Sequence, residues 1–317
     1  MFIYLLNRMN IRFLLLLLCL TPKLNAQTLY SKAFGNPQHP ALLFLHGGPG
    51  YNAVSFELST APILAEQGYY VIVYDRRGEG RSIDPNAEFS LAEAAADIQG
   101  VLEKYAVSKV HLLGHSFGGI LALKFARTHP EKVHSVALIS APLDLQESFQ
   151  HIIVQCKTIY EAKEDLVNLK YVGLLQEMDP HSMLFASYCF LHALRNGFYT
   201  TPNPTPDAQQ QYTALMEQPD FKRWGNAMTE QAPLGFHRND AYTQMKLYDL
   251  IRQVLQKKVP VFGFYGEDDR LYPKTQRQTL EALLPQGHFK SWERCGHAVF
   301  IDQQAQFIAA LRQLPQG

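Results

Sequence analysis

Gly114-His115-Ser116-Phe117-Gly118-Gly119 constrains this chain more than any other feature. It directly follows the apolar run Val110 to Leu113 and opens a helix-like stretch, Phe117 to His129, which Pro130 stops. A short run of this kind, apolar but for His111, reads as a strand covered on both faces, and the chain must reverse sharply to lay a helix back over it. The glycines permit that reversal with little Cβ crowding. The serine hydroxyl then stands at the carboxyl end of a strand, beside the first turn of a helix. In this context a Gly-x-Ser-x-Gly segment presents a nucleophile rather than an ordinary turn serine.

The surrounding sequence repeats the same rhythm. Ala41 to Leu45, Tyr70 to Tyr74, Val136 to Ile139 and Val259 to Tyr265 are further apolar or aromatic runs ended by Gly, His or Asp. Helical patterns separate them: Phe56 to Gln67, Leu91 to Tyr105 with Ser90 and Glu93 as a capping box, and a last amphipathic stretch from Gln303 to Leu314. Strands alternating with helices predict an α/β fold with a mostly parallel central sheet flanked by helices. Between about residues 143 and 250 the rhythm breaks. Helical patterning and aromatics dominate there, interrupted by Thr201-Pro202-Asn203-Pro204-Thr205-Pro206. The expectation is a core in two parts, residues 27–142 and 251–317, with a helical cap inserted over 143–250.

Residues 1–26 read as a secretory signal peptide: Arg8 and Arg12, the short apolar run Phe13 to Leu20, and Leu24-Asn25-Ala26 before a cleavage point. The run is too short to span a bilayer, so the expectation is an exported protein, periplasmic or secreted, with no stable membrane span after processing. Cleavage removes Arg8, Arg12 and Lys23 from a chain of zero formal net charge, leaving a slight acidic surplus. No basic footprint for a nucleic acid is present. Three cysteines remain, Cys156, Cys189 and Cys295. An odd number leaves at least one thiol unpaired within the chain, and Cys156 and Cys189 form a candidate cross-link inside the inserted region. No Cys/His spacing suggests zinc.

A serine nucleophile needs a base, and the base needs an orienting carboxylate. His297, in Cys295-Gly296-His297-Ala298, immediately precedes the last helix. Asp268 and Asp269 follow the strand Val259 to Tyr265 within Gly266-Glu267-Asp268-Asp269-Arg270-Leu271-Tyr272-Pro273. Spacing alone does not choose between the two, and Asp144 is a further candidate. Attack on a carbonyl also needs donors for the developing oxyanion. His46-Gly47-Gly48-Pro49-Gly50 directly follows Ala41 to Leu45, at the same sheet edge as Ser116, and can offer backbone N–H groups. The donors expected are Gly48 and Phe117, with Gly47 next; Pro49 has none to give. The charged turn Asp75-Arg76-Arg77-Gly78-Glu79-Gly80-Arg81-Ser82 is read as structural, tying adjoining loops together.

Taken together, His46 to Gly50, Asp75 to Ser82, Gly114 to Gly119, Gly266 to Pro273 and Gly296-His297 resemble the α/β-hydrolase superfamily. The His-Gly-Gly-Pro-Gly form is similar to the prolyl iminopeptidase branch, the S33 peptidases. The resemblance covers roughly residues 40–140 and 255–315 and is weaker in the cap. It implies that Asp269 rather than Asp268 is the catalytic aspartate, that the oxyanion hole lies at Gly48 and Phe117, and that no metal or organic cofactor is needed. It also implies a cap over the site and an acidic cap residue for a substrate amine. Glu217 and Glu230, which flank Phe221-Lys222-Arg223-Trp224-Gly225, are the candidates, with Trp224 beside them.

The chain departs from that branch in three places. Gly114-His115-Ser116-Phe117-Gly118 stands where the branch commonly has Gly-Gly-Ser-Trp-Gly, the Trp-x-x-Trp-Glu cap motif is absent, and the stretch before Ala41 leaves little room for antiparallel edge strands. The expected function is a serine hydrolase releasing N-terminal proline or another residue from short peptides through an acyl-enzyme. A carboxylesterase acting on small esters and a non-catalytic ligand-binding scaffold are the alternatives.

Overall fold

The computed structural model describes residues 29–315; the leader expected over residues 1–26 lies outside the described residues. Seven strands form one sheet: β1 (Ser31–Phe34), β2 (Ala41–Leu45), β3 (Tyr70–Tyr74), β4 (Val110–His115), β5 (Val133–Ile139), β6 (Val261–Gly266) and β7 (Phe289–Trp292). Their spatial order is β1-β3-β2-β4-β5-β6-β7. β1 runs antiparallel to β3, and every other pairing is parallel. The sheet is thus α/β and mostly parallel, as its apolar runs predict. The short stretch before Ala41 nevertheless accommodates one antiparallel edge strand. β7, Phe-Lys-Ser-Trp, was not legible as a strand because only half of its residues are apolar and all four are half-buried.

Side-chain alternation along each strand divides the core in two. Leu43, Leu45, Ile72, Tyr74, Leu112, Val136 and Leu138 face one layer of helices. Leu42, Phe44, Val71, Val73, Leu113, Ala137 and Ile139 face the other. On the first face lie α3 (Leu91–Lys104) and α4 (Phe117–Thr128), through Ile98, Val101, Ile120 and Leu123. The second carries α1 (Val54–Ser59) and α2 (Ala61–Glu66), and at the carboxyl terminus α13 (Val299–Asp302) and α14 (Gln304–Leu311). The stretch read as one helix from Phe56 to Gln67 is two, because Pro62 in the first turn of α2 has no N–H to continue the earlier ladder. At the break the Thr60 hydroxyl donates to Phe300 O at 2.7 Å. The predicted capping box is present in outline: Ser90 Oγ accepts from Glu93 N, while the Glu93 carboxylate accepts from Glu88 and Phe89 N–H.

Between β5 and β6 the chain leaves the sheet for α5 (Leu145–Ala162), α6 (Leu166–Leu175), α7 (Met183–Arg195), α8 (Pro206–Glu217), α9 (Pro219–Trp224), α10 (Gln231–Asp240) and α11 (Tyr248–Gln256). Asp144, Asp165, Ser182 and Thr205 cap four of these at their amino ends. The proline-rich interruption becomes the lead-in to α8, with Pro206 at its first turn. The boundary expected at residue 250 falls inside α11, whose Ile251 and Val254 are buried with the sheet core. Cys156 and Cys189, on α5 and α7, are both free thiols, as is Cys295, so the candidate cross-link is not formed. Burial raises the first two to about 11 and about 12. Among the described residues no helix is long and apolar enough to cross a membrane. α12 (Lys274–Leu283) completes the frame between β6 and β7.

Candidate active site

β2 is flanked by β3 on one side and β4 on the other, so the chain order of the sheet reverses at β2. In open α/β sheets the crevice beyond the carboxyl ends at such a reversal is where ligands bind. Leu45, the last residue of β2, pairs with Gly114 of β4. The glycine-rich turn and Ser116 therefore leave the sheet side by side.

Ser116 adopts φ 51° and ψ −123°, a conformation that side chains other than glycine rarely take. Three contacts hold it there. Ser116 N–H donates to Ile139 O of β5 at 2.9 Å, and Gly119 N–H donates to Ser116 O at 2.9 Å. Gly118 meets β2 so closely that a Cβ would strike the carbonyl oxygen of Leu45. Strain at one residue, over-determined by its surroundings, is the pattern of a functional position.

The facing turn is held from beneath by a buried ion pair. Arg76, at the end of β3, donates to the carbonyl oxygens of His46 and Gly47, the latter at 2.6 Å. The same guanidinium binds both carboxylate oxygens of Glu79 at 2.8 Å, and Glu79 Oε2 accepts from Gly50 N at 2.7 Å. Both side chains are buried. A peptide plane sets its C=O and N–H in opposite directions. With Gly47 O drawn to Arg76, the Gly48 N–H faces the other way. Gly48 sits at φ 111°, open to glycine, and the Gly48–Pro49 peptide is cis. Gly47 packs against Ser116: a Cβ added there would stand 3.1 Å from Ser116 Cβ. The rest of the charged turn also serves as ties: Arg81 bridges Asp75 and Glu57, and Arg77 bridges Asp84 and Asp97.

His297 Nδ1 lies 2.8 Å from Asp269 Oδ2. Both residues are buried, and Asp269 Oδ1 accepts from Leu271 N at 3.1 Å. Asp268 points elsewhere, its Oδ2 accepting from the Thr201 hydroxyl at 2.6 Å. Asp144 caps α5 and pairs with Lys246 at 3.1 Å. Of the three aspartates considered, only Asp269 reaches the histidine.

The His297 backbone is pinned on both sides. Its N–H donates to Tyr199 O at 2.9 Å, and its carbonyl accepts from His115 Nε2 at 3.1 Å. Burial, with the neighbouring His297 second, lowers His115 to about 3. The His115 ring is therefore neutral at physiological pH, with its proton on the nitrogen that donates. Asp302 supports the same loop by accepting from Gly296 N at 2.7 Å.

Aromatic side chains from the inserted region and from the loop after β6 enclose these groups. Tyr199 meets the His297 ring edge-on at 5.3 Å. Phe236 and Tyr242 meet Phe117 at 4.8 and 5.2 Å. Tyr272 is buried, its ring 6.0 Å from that of His297, and its phenol lies close to the Ser116 side chain. Burial, with Asp269 second, pushes the Tyr272 phenol well above its ordinary range, so it remains a donor. Sequence reasoning missed all four aromatics. Only Tyr272 gave a usable signal, three residues after Asp269 in the same turn.

The cap candidates lie apart from this group. Glu217 is turned to solvent and paired with Lys222 at 2.8 Å. Glu230 is exposed on the rim of an open cavity of about 480 Å³ that Gly78, Asp84 and Met228 also line. Trp224 contributes its carbonyl, which accepts from Asn52 Nδ2 at 2.9 Å, while Arg223 covers its ring at 5.0 Å. That segment braces the glycine-rich turn, since Thr229 N–H donates to Gly50 O at 2.8 Å. Among the described residues no cluster of three His, Cys, Asp or Glu side chains is placed to hold a metal ion.

Comparison with known proteins extends the likeness along most of the chain. It is 26% identical over 300 residues to a proline iminopeptidase of Lactobacillus helveticus, covering 92% of this chain and 95% of the relative. Its fold superposes on a proline iminopeptidase-related protein of Thermus thermophilus with a TM-score of 0.62 at 23% identity, covering 90% and 94% of the two chains. An esterase from Exiguobacterium antarcticum shares the fold with a TM-score of 0.57 at 20% identity, covering 90% and 94%. Residues 40–304 match the family described as alpha/beta hydrolase fold. That match runs unbroken from the start of β2 through Ser116, Asp269 and His297 into the final helix, and the chain belongs to this family, resembling its prolyl iminopeptidases.

Proposed function

We propose that the chain is a serine hydrolase that cleaves small amides or esters through an acyl-enzyme, with a preference for releasing an N-terminal residue, proline among them, from short peptides. The observation that carries this reading is the strained Ser116, whose neighbour His115 holds the His297 carbonyl, together with the bonded pair His297 and Asp269. His297 accepts the Ser116 proton as the oxygen attacks a carbonyl carbon. Asp269 keeps the Nδ1 proton in place and stabilises the imidazolium that forms. The N–H groups of Gly48 and Phe117 receive the oxyanion, with Gly47 packed beneath. His297 then protonates the leaving group, and water repeats the sequence to free the acid. The peptidase preference rests on the sequence likeness to proline iminopeptidases and on the His-Gly-Gly-Pro-Gly turn. The inserted helices above Phe117 favour short substrates; cleavage of intact proteins would contradict that.

A carboxylesterase is the second reading. It is favoured by the aromatic lining around Ser116 and by the outward positions of Glu217 and Glu230, which leave a substrate amine without an evident carboxylate. Hydrolysis of proline β-naphthylamide beside p-nitrophenyl acetate and butyrate separates the two. Ser116-dependent cleavage of the prolyl amide, lost when its amine is acetylated, supports the peptidase. Ester cleavage alone supports the esterase. No covalent labelling by a fluorophosphonate would favour the ligand-binding scaffold. We further propose export after cleavage near Ala26, supported by the leader pattern in residues 1–26 and tested by the amino-terminal sequence of the secreted or periplasmic protein.

A further inference from the structure

Helix α6, Leu-Val-Asn-Leu-Lys-Tyr-Val-Gly-Leu-Leu, is apolar on nearly every side, a composition that belongs in a core. Yet only Val172 and Leu175 are buried. Leu166, Val167, Tyr171 and Leu174 stand exposed to solvent. The next helix repeats the pattern. On α7, Leu184, Tyr188 and Leu191 recur at steps of four and three, with Leu194 beside them, so they share one side. The opposite side, Phe185, Ala186, Cys189 and Ala193, is buried. Both helices pack on α5 and touch each other, Phe149 of α5 meeting Phe185 edge-on at 5.7 Å.

The exposed side chains range from 37% to 75% accessible. Eight such residues present on the order of 800 Å² of surface, the area one partner gives to a standard interface. So much exposed apolar surface on two helices in contact exceeds what a monomer ordinarily leaves in water. Its rim carries both signs of charge. Lys163, Glu164 and Asp165 lie at one end of α6, Glu177 and Asp179 beyond the other, Lys170 within it, and Arg195 closes α7. A face built for an anionic membrane has a basic rim. A mixed rim suits its own copy turned about a two-fold axis, where each sign meets the other. Gly173 has no neighbouring atom within 4 Å of where a Cβ would sit, so a second helix can approach closely there.

We propose that α6 and α7 form a two-fold interface with a second copy of this chain. The interface also bears on the site, because α7 runs directly into the segment whose Tyr199 carbonyl holds His297 N–H.

Sedimentation of the purified protein over a range of micromolar concentrations tests this, with L184E/L191E as the interface variant and M216E on α8 as the control. The wild type and M216E are expected to sediment at twice the chain mass. The double variant is expected to lose the dimer, its dissociation constant rising at least about 100-fold, since two carboxylates would be stripped of water without partners. Both leucines are exposed, so far-UV circular dichroism should be unchanged. A monomeric wild type at all concentrations overturns the proposal, as does a double variant that stays dimeric. A monomer that binds vesicles of phosphatidylcholine and phosphatidylglycerol through these leucines overturns it too, and assigns the face to a lipid surface.

Discussion

Asp269 Oδ2 sits 2.8 Å from His297 Nδ1, while the adjacent Asp268 turns its carboxylate to Thr201. Two neighbouring residues of one type thus have separate duties. Asp269→Asn should lower kcat roughly 10³–10⁴-fold, because the amide cannot hold the imidazole in the working tautomer. Asp268→Asn loses at most one hydrogen bond and should cost less than about tenfold. Steady-state kinetics on whichever substrate class is cleaved checks both; equal losses would contradict the assignment.

The Arg76–Glu79 pair predicts a stability effect separable from catalysis. Arg76→Met leaves Glu79 buried without its partner and should destabilise the fold by about 3–5 kcal/mol in urea. R76M/E79L removes both charges and should recover much of that loss. Activity should stay low in both variants, since the His46 and Gly47 carbonyls no longer have the donor that fixes their peptide planes. Recovered activity in the double variant would mean that the turn needs no such clamp.

Tyr272→Phe deletes a buried phenol that lies close to Ser116 while keeping the ring. Labelling of Ser116 by a fluorophosphonate should slow about five- to tenfold, the worth of one hydrogen bond of about 1 kcal/mol. The midpoint of thermal unfolding should move little. An unchanged labelling rate would reduce Tyr272 to packing.

Acid should destabilise the protein through its buried histidines. Burial, with His134 and Lys109 adding repulsion, lowers His111 to about 4, and His111 Nδ1 bonds Ser135 Oγ at 2.8 Å. An unfolded His111 takes up its proton near pH 6.5, the folded one only near 4. Between those values the unfolded chain binds more protons, so stability present above about pH 6.5 falls as pH drops toward 4. The loss from this residue is at most about 3 kcal/mol. His111→Gln should show a shallower decline between about pH 7 and 4.5 in parallel urea titrations. Parallel slopes for the two proteins would sink the idea.

The sheet was legible because five of its strands are dominated by apolar runs, as two-sided burial demands, with only His111 and Ser135 as buried polar interruptions that pair with each other. β1 and β7 escaped notice because edge strands need only one covered face and mix polar residues freely. Ser116, the glycine-rich turn and the His297 loop could be read because each needs a special residue at a fixed distance from a strand end. The choice between Asp268 and Asp269 could not be read from spacing, since it depends on how one turn lies against another. The aromatic enclosure was equally hidden. Tyr199, Phe236 and Tyr242 come from the inserted region, whose docking against Phe117 and His297 is a tertiary fact with no local period.

The central claim is that Ser116 is a nucleophile activated by His297. Its most direct test is labelling with a fluorophosphonate followed by peptide mapping, on the wild type and on Ser116→Ala and His297→Ala. One label per chain, on the peptide containing Ser116, abolished by the first substitution and slowed at least about 10³-fold by the second, is the predicted result. A folded wild type that takes no label, or a label that survives Ser116→Ala, would contradict it.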